Sequence, residues 1–74
     1  MGKMIVFSPA GDTIVGEWTK DDEASVEVAR GKFEAALADG FGAVTPVASG
    51  GSAPVGAFSP DLEEITLLKP IAGG

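Results

Sequence analysis

The residues with the clearest chemical use are the last four, Ile71, Ala72, Gly73 and Gly74. A diglycine end puts a carboxylate on a narrow tail without side chains, and glycine accepts backbone angles closed to other residues. That shape suits a carboxylate that enters another protein's active site. The ordinary alternative is a frayed terminus. Eleven of the 74 residues are glycine, so a terminal pair arises by chance about 2% of the time, against about 0.5% at ordinary glycine usage. The pair carries weight only on a domain built to display it.

Other chemistry is narrowed by composition. The chain has no Cys and no His, which removes the thiol nucleophile, the imidazole base, the disulfide and the His/Cys metal cluster. Asp21-Asp22-Glu23 reads as an acidic helix start rather than a metal site. Ser49-Gly50-Gly51-Ser52 lacks the lysine and following helix of a phosphate loop. No catalytic residue and no metal ligand are expected. Eleven acidic residues stand against five basic ones, for a net charge of −6. Lys3, Lys20, Arg30, Lys32 and Lys69 are scattered, so nucleic-acid binding is not expected. An acidic surface serves solubility or attracts a basic protein surface. The apolar run Met4-Ile5-Val6-Phe7 is too short for a signal peptide or a membrane span. Val6 stands where a myristoylation signal at Gly2 needs Ser or Thr. The expectation is a soluble, cytoplasmic protein without a membrane partner.

The elements that must position the tail follow from local pattern. Met4-Ile5-Val6-Phe7 and Thr13-Ile14-Val15-Gly16-Glu17-Trp18 are strand-like and flank a turn at Ser8-Pro9-Ala10-Gly11-Asp12, which predicts a hairpin. Ile14, Gly16 and Trp18 share one face, with Trp18 inward, and Gly16 marks a bulge or a close approach. Thr19 or Asp21 caps a helix over 22–39 with Val26, Ala29, Phe33, Ala36 and Leu37 on one stripe. Gly31 weakens that helix and Gly40 ends it. A third strand runs over 41–47, interrupted by Pro46. After the 48–54 loop, 55–58 forms a return strand, 59–63 a turn, and 64–69 the last strand. Apolar residues on both faces of that strand, Ile65 and Leu67 on one and Leu68 on the other, place it centrally.

The order strand, strand, helix, strand, strand, strand (ββαβββ) predicts a two-layer α+β domain over 1–69, one helix packed on a mixed sheet in the β-grasp arrangement. Residues 70–74 form a flexible C-terminal tail. The expected core is Ile5, Phe7, Ile14, Trp18, Val26, Phe33, Leu37, Val44, Ile65 and Leu67.

With these residues in view, the chain resembles the ubiquitin-like superfamily. Its last stretch, Glu64-Ile65-Thr66-Leu67-Leu68-Lys69-Pro70-Ile71-Ala72-Gly73-Gly74, is similar to the tail of MoaD/ThiS-type sulfur carriers. Those tails run from an acidic residue through an aliphatic strand and proline to Gly-Gly, and Lys69-Pro70 stands where the family often has Pro-Pro. The resemblance implies that an E1-like adenylyltransferase uses ATP and magnesium to adenylate Gly74. A sulfur donor then displaces AMP to leave a thiocarboxylate for a sulfur-accepting synthase subunit. Gly73 and Gly74 would be the activated end, and Leu68, Pro70, Ile71 and Ala72 the partner-binding residues. Pro70 either stiffens the exit or simply ends the strand. The chain would be a substrate rather than an enzyme. Two alternatives stand: a modifier conjugated through Gly74, and a bacterial or phage binding module with an idle tail.

Overall fold

The computed structural model describes residues 1–70. Five strands and one helix follow one another as β1 (Gly2–Val6), β2 (Thr13–Trp18), α1 (Glu23–Ala38), β3 (Gly42–Pro46), β4 (Ser52–Pro54) and β5 (Glu64–Leu68). The strands make one mixed sheet in the order β2-β1-β5-β3-β4. β5 is central, parallel to β1 and antiparallel to β3, and the β1–β2 and β3–β4 pairs are antiparallel. The helix packs on one face, giving an α+β fold compatible with a β-grasp. No helix among the described residues is long and apolar enough to cross a membrane.

The helix starts where its free amides find acceptors. Asp22, not Thr19 or Asp21, is the cap: its carboxylate accepts from the Ala24 and Ser25 amides at 3.2 and 3.4 Å. Thr19 sits one loop earlier, where its amide donates to the Ser25 hydroxyl at 2.9 Å. Val26, Ala29 and Phe33 are buried on the expected stripe, with Ala36 and Leu37 half-buried beside them. Gly31 is exposed, and a methyl group there would meet no atom within 4 Å. Gly31→Ala is therefore expected to stabilise the domain by about 1 kcal/mol. Thermal melting checks this as a rise of roughly 4–8 °C; an unchanged midpoint would show that the helix does not need the extra propensity.

The core differs from the expected one in which face of the first hairpin points inward. Met4, Trp18, Val26, Ala29, Phe33, Ala43, Ile65 and Leu67 are buried together. Ile5, Phe7, Ile14 and Val44, all expected inside, are not: Phe7 and Ile14 remain 53% and 54% exposed. A bulge causes the swap on β2. Met4 pairs with Gly16 but Ile5 pairs with Ile14, so Val15 is the extra residue and Ile14 leaves the Trp18 face. A one-residue slip exchanges the two faces of a strand. Val15 turns toward the helix side instead, and its carbonyl accepts from Lys32 Nζ at 2.9 Å. On β1 the burial alternates through Gly2, Met4 and the half-buried Val6. Gly2 lies flat against the Trp18 indole, where any side chain would collide.

The second hairpin closes earlier than 55–58. Gly50 donates to the Val47 carbonyl at 3.0 Å and Val47 to the Gly51 carbonyl at 3.1 Å. Gly50 and Gly51 have φ of 87° and 122°, so two glycines make a turn tight enough for the return strand to begin at Ser52. Residues 55–63 are then free to fold over the helix-side core. Phe58 packs edge-on to Trp18 at 4.9 Å between ring centres, and Pro60 accepts from Trp18 Nε1 at 3.2 Å.

Candidate functional site

The tail leaves the sheet from its middle strand. Burial of Ile65 and Leu67 on the helix side turns Glu64, Thr66 and Leu68 to the open face. Leu68 stands opposite Gly42, the first residue of β3, and is 39% exposed. Lys69 and Pro70 follow, both exposed. Pro70 lies near Gly40, just past the end of the helix: a Cβ built on Gly40 would be 3.4 Å from the Pro70 Cβ, an ordinary contact. Of the expected site residues, Leu68 and Pro70 are thus brought to one end of the sheet, beside the helix C-terminus. Ile71, Ala72, Gly73 and Gly74 lie outside the described residues.

The same geometry exposes a face that the sequence reading had placed in the core. The strand register sets Ile14, Ile5, Thr66, Val44 and Pro54 in one row across all five strands. No charged residue stands in that row. Phe7 continues the alternation of Lys3 and Ile5 on this face, and its amide donates to the Leu67 carbonyl at 3.0 Å. The row nearer the start of β1 is charged instead: Glu17, Lys3 and Glu64 stand side by side, and Lys3 Nζ is 3.6 Å from the Glu64 carboxylate. Glu63 precedes Glu64 in the chain, and a shallow cleft of about 330 Å³ here is lined by Lys3, Glu17, Pro46, Glu63 and Glu64. Open sheet faces ordinarily carry alternating polar residues. In this row Ile14 and Pro54 are exposed and Ile5, Thr66 and Val44 half-buried, and an uncharged, largely apolar stripe bordered by charge is the usual make-up of a docking surface.

Most of the cations are engaged within the chain. Lys3 pairs with Glu64, Lys20 with Asp61 and Arg30 with Glu27, while Lys32 holds the Val15 carbonyl. The Asp61 carboxylate, accepting a hydrogen bond from the Lys20 ammonium, raises the lysine pKa above its ordinary value. Arg30 also lies over the Phe58 ring, 5.7 Å from its centre. A second cleft of about 400 Å³ opens between α1 and Pro60, lined by Lys20, Glu23, Val26, Glu27 and Arg30. Around it Lys20 pairs with Asp61 and Arg30 with Glu27, surface ion pairs that hold little energy. Among the described residues no three carboxylates gather as a metal site.

Two features of the site escaped the sequence reading. Gly40 was legible as a helix stop but not as the neighbour of Pro70, which is thirty positions away. The apolar row was read as core because Met4-Ile5-Val6-Phe7 is apolar on both faces. Only the cross-strand partner shows which half is covered. Gly16 was the available signal, since a glycine inside a strand marks a bulge, and the bulge lies next to it at Val15.

No protein-family model matches the chain, and neither a curated protein nor a solved structure matches it significantly.

Proposed function

We propose that this protein is a ubiquitin-like, β-grasp carrier whose Gly74 carboxylate is activated by an E1-like adenylyltransferase and converted to a thiocarboxylate. The observation that carries the reading is the placement of the exit. A central strand, parallel to the first, ends at Leu68 and passes through Lys69-Pro70 toward Ile71-Ala72-Gly73-Gly74. The sheet order β2-β1-β5-β3-β4, with one helix across it, supports the β-grasp assignment. In the reaction a Gly74 carboxylate oxygen bonds to the α-phosphorus of ATP and pyrophosphate leaves. A sulfur nucleophile then attacks the acyl carbon and expels AMP. ATP and magnesium belong to the activating enzyme. The domain's part is to dock and to present an acyl carbon that no side chain obstructs.

The docking partner that suits this surface has an apolar centre and a basic border. It would cover Ile5, Phe7, Ile14, Val44 and Leu68 and meet Glu17, Glu63 and Glu64 at one side. Pro70, Ile71 and Ala72 complete the contact along the tail. A sulfur-accepting synthase subunit would use the same face in a later step. Transfer between such partners is a cytoplasmic activity.

The test is the intact mass of the protein after incubation with an E1-like adenylyltransferase from the same genome, ATP, magnesium and sulfide. A gain of one sulfur-for-oxygen replacement, located at Gly74, is expected. An unchanged mass, with the enzyme active on a carrier of its own, would sink the reading. The open apolar face favours a second reading: a binding module that docks through that face with an idle tail, in a bacterial or phage assembly. Conjugation through Gly74 is a variant of the first reading, and it would appear as a larger adduct instead of a sulfur exchange.

A further inference from the structure

We infer that residues 56–62 form a strap that opens as a unit of its own, baring the Trp18–Phe33 side of the core while the sheet and the helix stay folded. The inference uses neither the tail nor the carrier reading. The strap carries the chain from β4, at one edge of the sheet, to the central β5. Backbone pairing stops at both of its ends. Val55 N–H donates to the Ala43 carbonyl at 2.9 Å, and Lys3 N–H donates to the Glu63 carbonyl at 3.1 Å. Between those two bonds the strap's backbone pairing, among the described residues, is one local bond, Leu62 N–H to the Ser59 carbonyl at 3.2 Å. Backbone held this sparsely belongs to the part of a protein that opens before the rest.

Side chains do the fastening. Half-buried Phe58 meets Trp18 edge-on and lies 6.0 Å from the Phe33 ring centre. Trp18 Nε1–H donates to the Pro60 carbonyl at 3.2 Å. Lys20 and Asp61 pair at 2.5 Å, but both side chains are 67% exposed, so the pair adds little. Arg30 lies over the Phe58 ring. Along the seam between strap and helix the packing is open, since the cleft of about 400 Å³ runs between Pro60 and the Val26–Arg30 turn. Lifting the strap therefore breaks one indole hydrogen bond, the packing of Phe58 and two surface contacts. Every sheet ladder survives, and Gly2 on β1 still packs on the indole.

The experiment is hydrogen exchange of the full chain, followed by NMR at the Trp18 indole N–H and at the β5 amides. Trp18 is 1% exposed and its indole N–H is bonded to the strap, so that proton exchanges when the strap lifts or the domain unfolds. It is expected to be at least about tenfold less protected than the slowest β5 amides. Urea below the unfolding transition should speed the β5 amides and leave the indole nearly unchanged, because lifting the strap exposes little surface. Gly31→Ala should slow the β5 amides about fivefold and leave the indole proton where it was, since the helix is intact in both strap states. Phe58→Leu, which shrinks the underside of the strap, should speed the indole proton by at least about threefold.

An indole proton that exchanges in step with the β5 amides, in urea and in Gly31→Ala, overturns the strap, because the domain then opens as a whole. An indole proton without protection in the wild type overturns it too, because Pro60 is then not holding it. So does a Phe58→Leu rate equal to that of the wild type. Should Gly31→Ala not fold, the urea series decides by itself.

Discussion

Phe33→Ala brings the domain close to its unfolding midpoint at 25 °C, with up to about half of the molecules unfolded. Phe33 is 1% exposed and sits in the middle of the helix stripe, against the sheet and 6.0 Å from the Phe58 ring centre. Emptying such a site costs about 3–5 kcal/mol. The whole stability of a domain this size is about 5 kcal/mol, with no disulfide to support it. Urea unfolding followed by Trp18 fluorescence reads the loss, since the indole is buried in the same cluster. The comparison that gives the result its meaning is Ile14→Ala. Sequence pattern alone placed Ile14 and Phe33 in one core, but Ile14 faces the open side of the sheet. Its replacement should cost under about 1 kcal/mol, because little apolar surface is returned to water. Equal losses for the two variants would refute the bulge and the face it exposes.

Under the proposed carrier role, removal of Gly73 and Gly74 should abolish adenylation, with activity falling by at least about 10³-fold, because the carboxylate would no longer reach the phosphate. Stability should move by under about 0.5 kcal/mol, the range of changes made away from packed and hydrogen-bonded groups. The two measurements separate the tail from the domain. A truncated chain that is still adenylated at normal rate means that Gly74 is not the reacting group. A truncated chain that melts much earlier means that the glycines serve the fold instead.

How far the sequence was legible depends on the reach of each signal. The helix stripe is local, set by spacing of three and four residues, and Val26, Ala29 and Phe33 are buried as that spacing requires. The central place of the last strand was legible in the apolar character of both its faces. The facing of the first hairpin was not, because period two tells only that alternate residues share a side. Which side is covered depends on a register fixed by one extra residue, Val15. The return strand was displaced for a comparable reason: Val55 and Phe58 look like strand residues, yet the Gly50-Gly51 turn brings the chain back before them. At the exit, Leu68 and Pro70 fall at the end of β5, and residues 71–74 lie outside the described residues. The approach of Pro70 to Gly40 depends on tertiary structure, which no local pattern encodes.

The Val15 bulge has a bearing on how the protein behaves in a crowded solution. A sheet left open on one face and at both ends can add strands from neighbouring molecules and grow into fibres. Here β4 is only three residues long and ends at Pro54, and its sole partner β3 ends at Pro46. At the opposite end, β2 carries the inserted Val15, which bends the strand, and the Val15 carbonyl already accepts from Lys32 Nζ. Short length, proline, a kink and a lysine are the ordinary means of keeping sheet edges from joining. The open apolar face can thus remain available to a docking partner while the backbone at either end offers poor purchase for polymerisation.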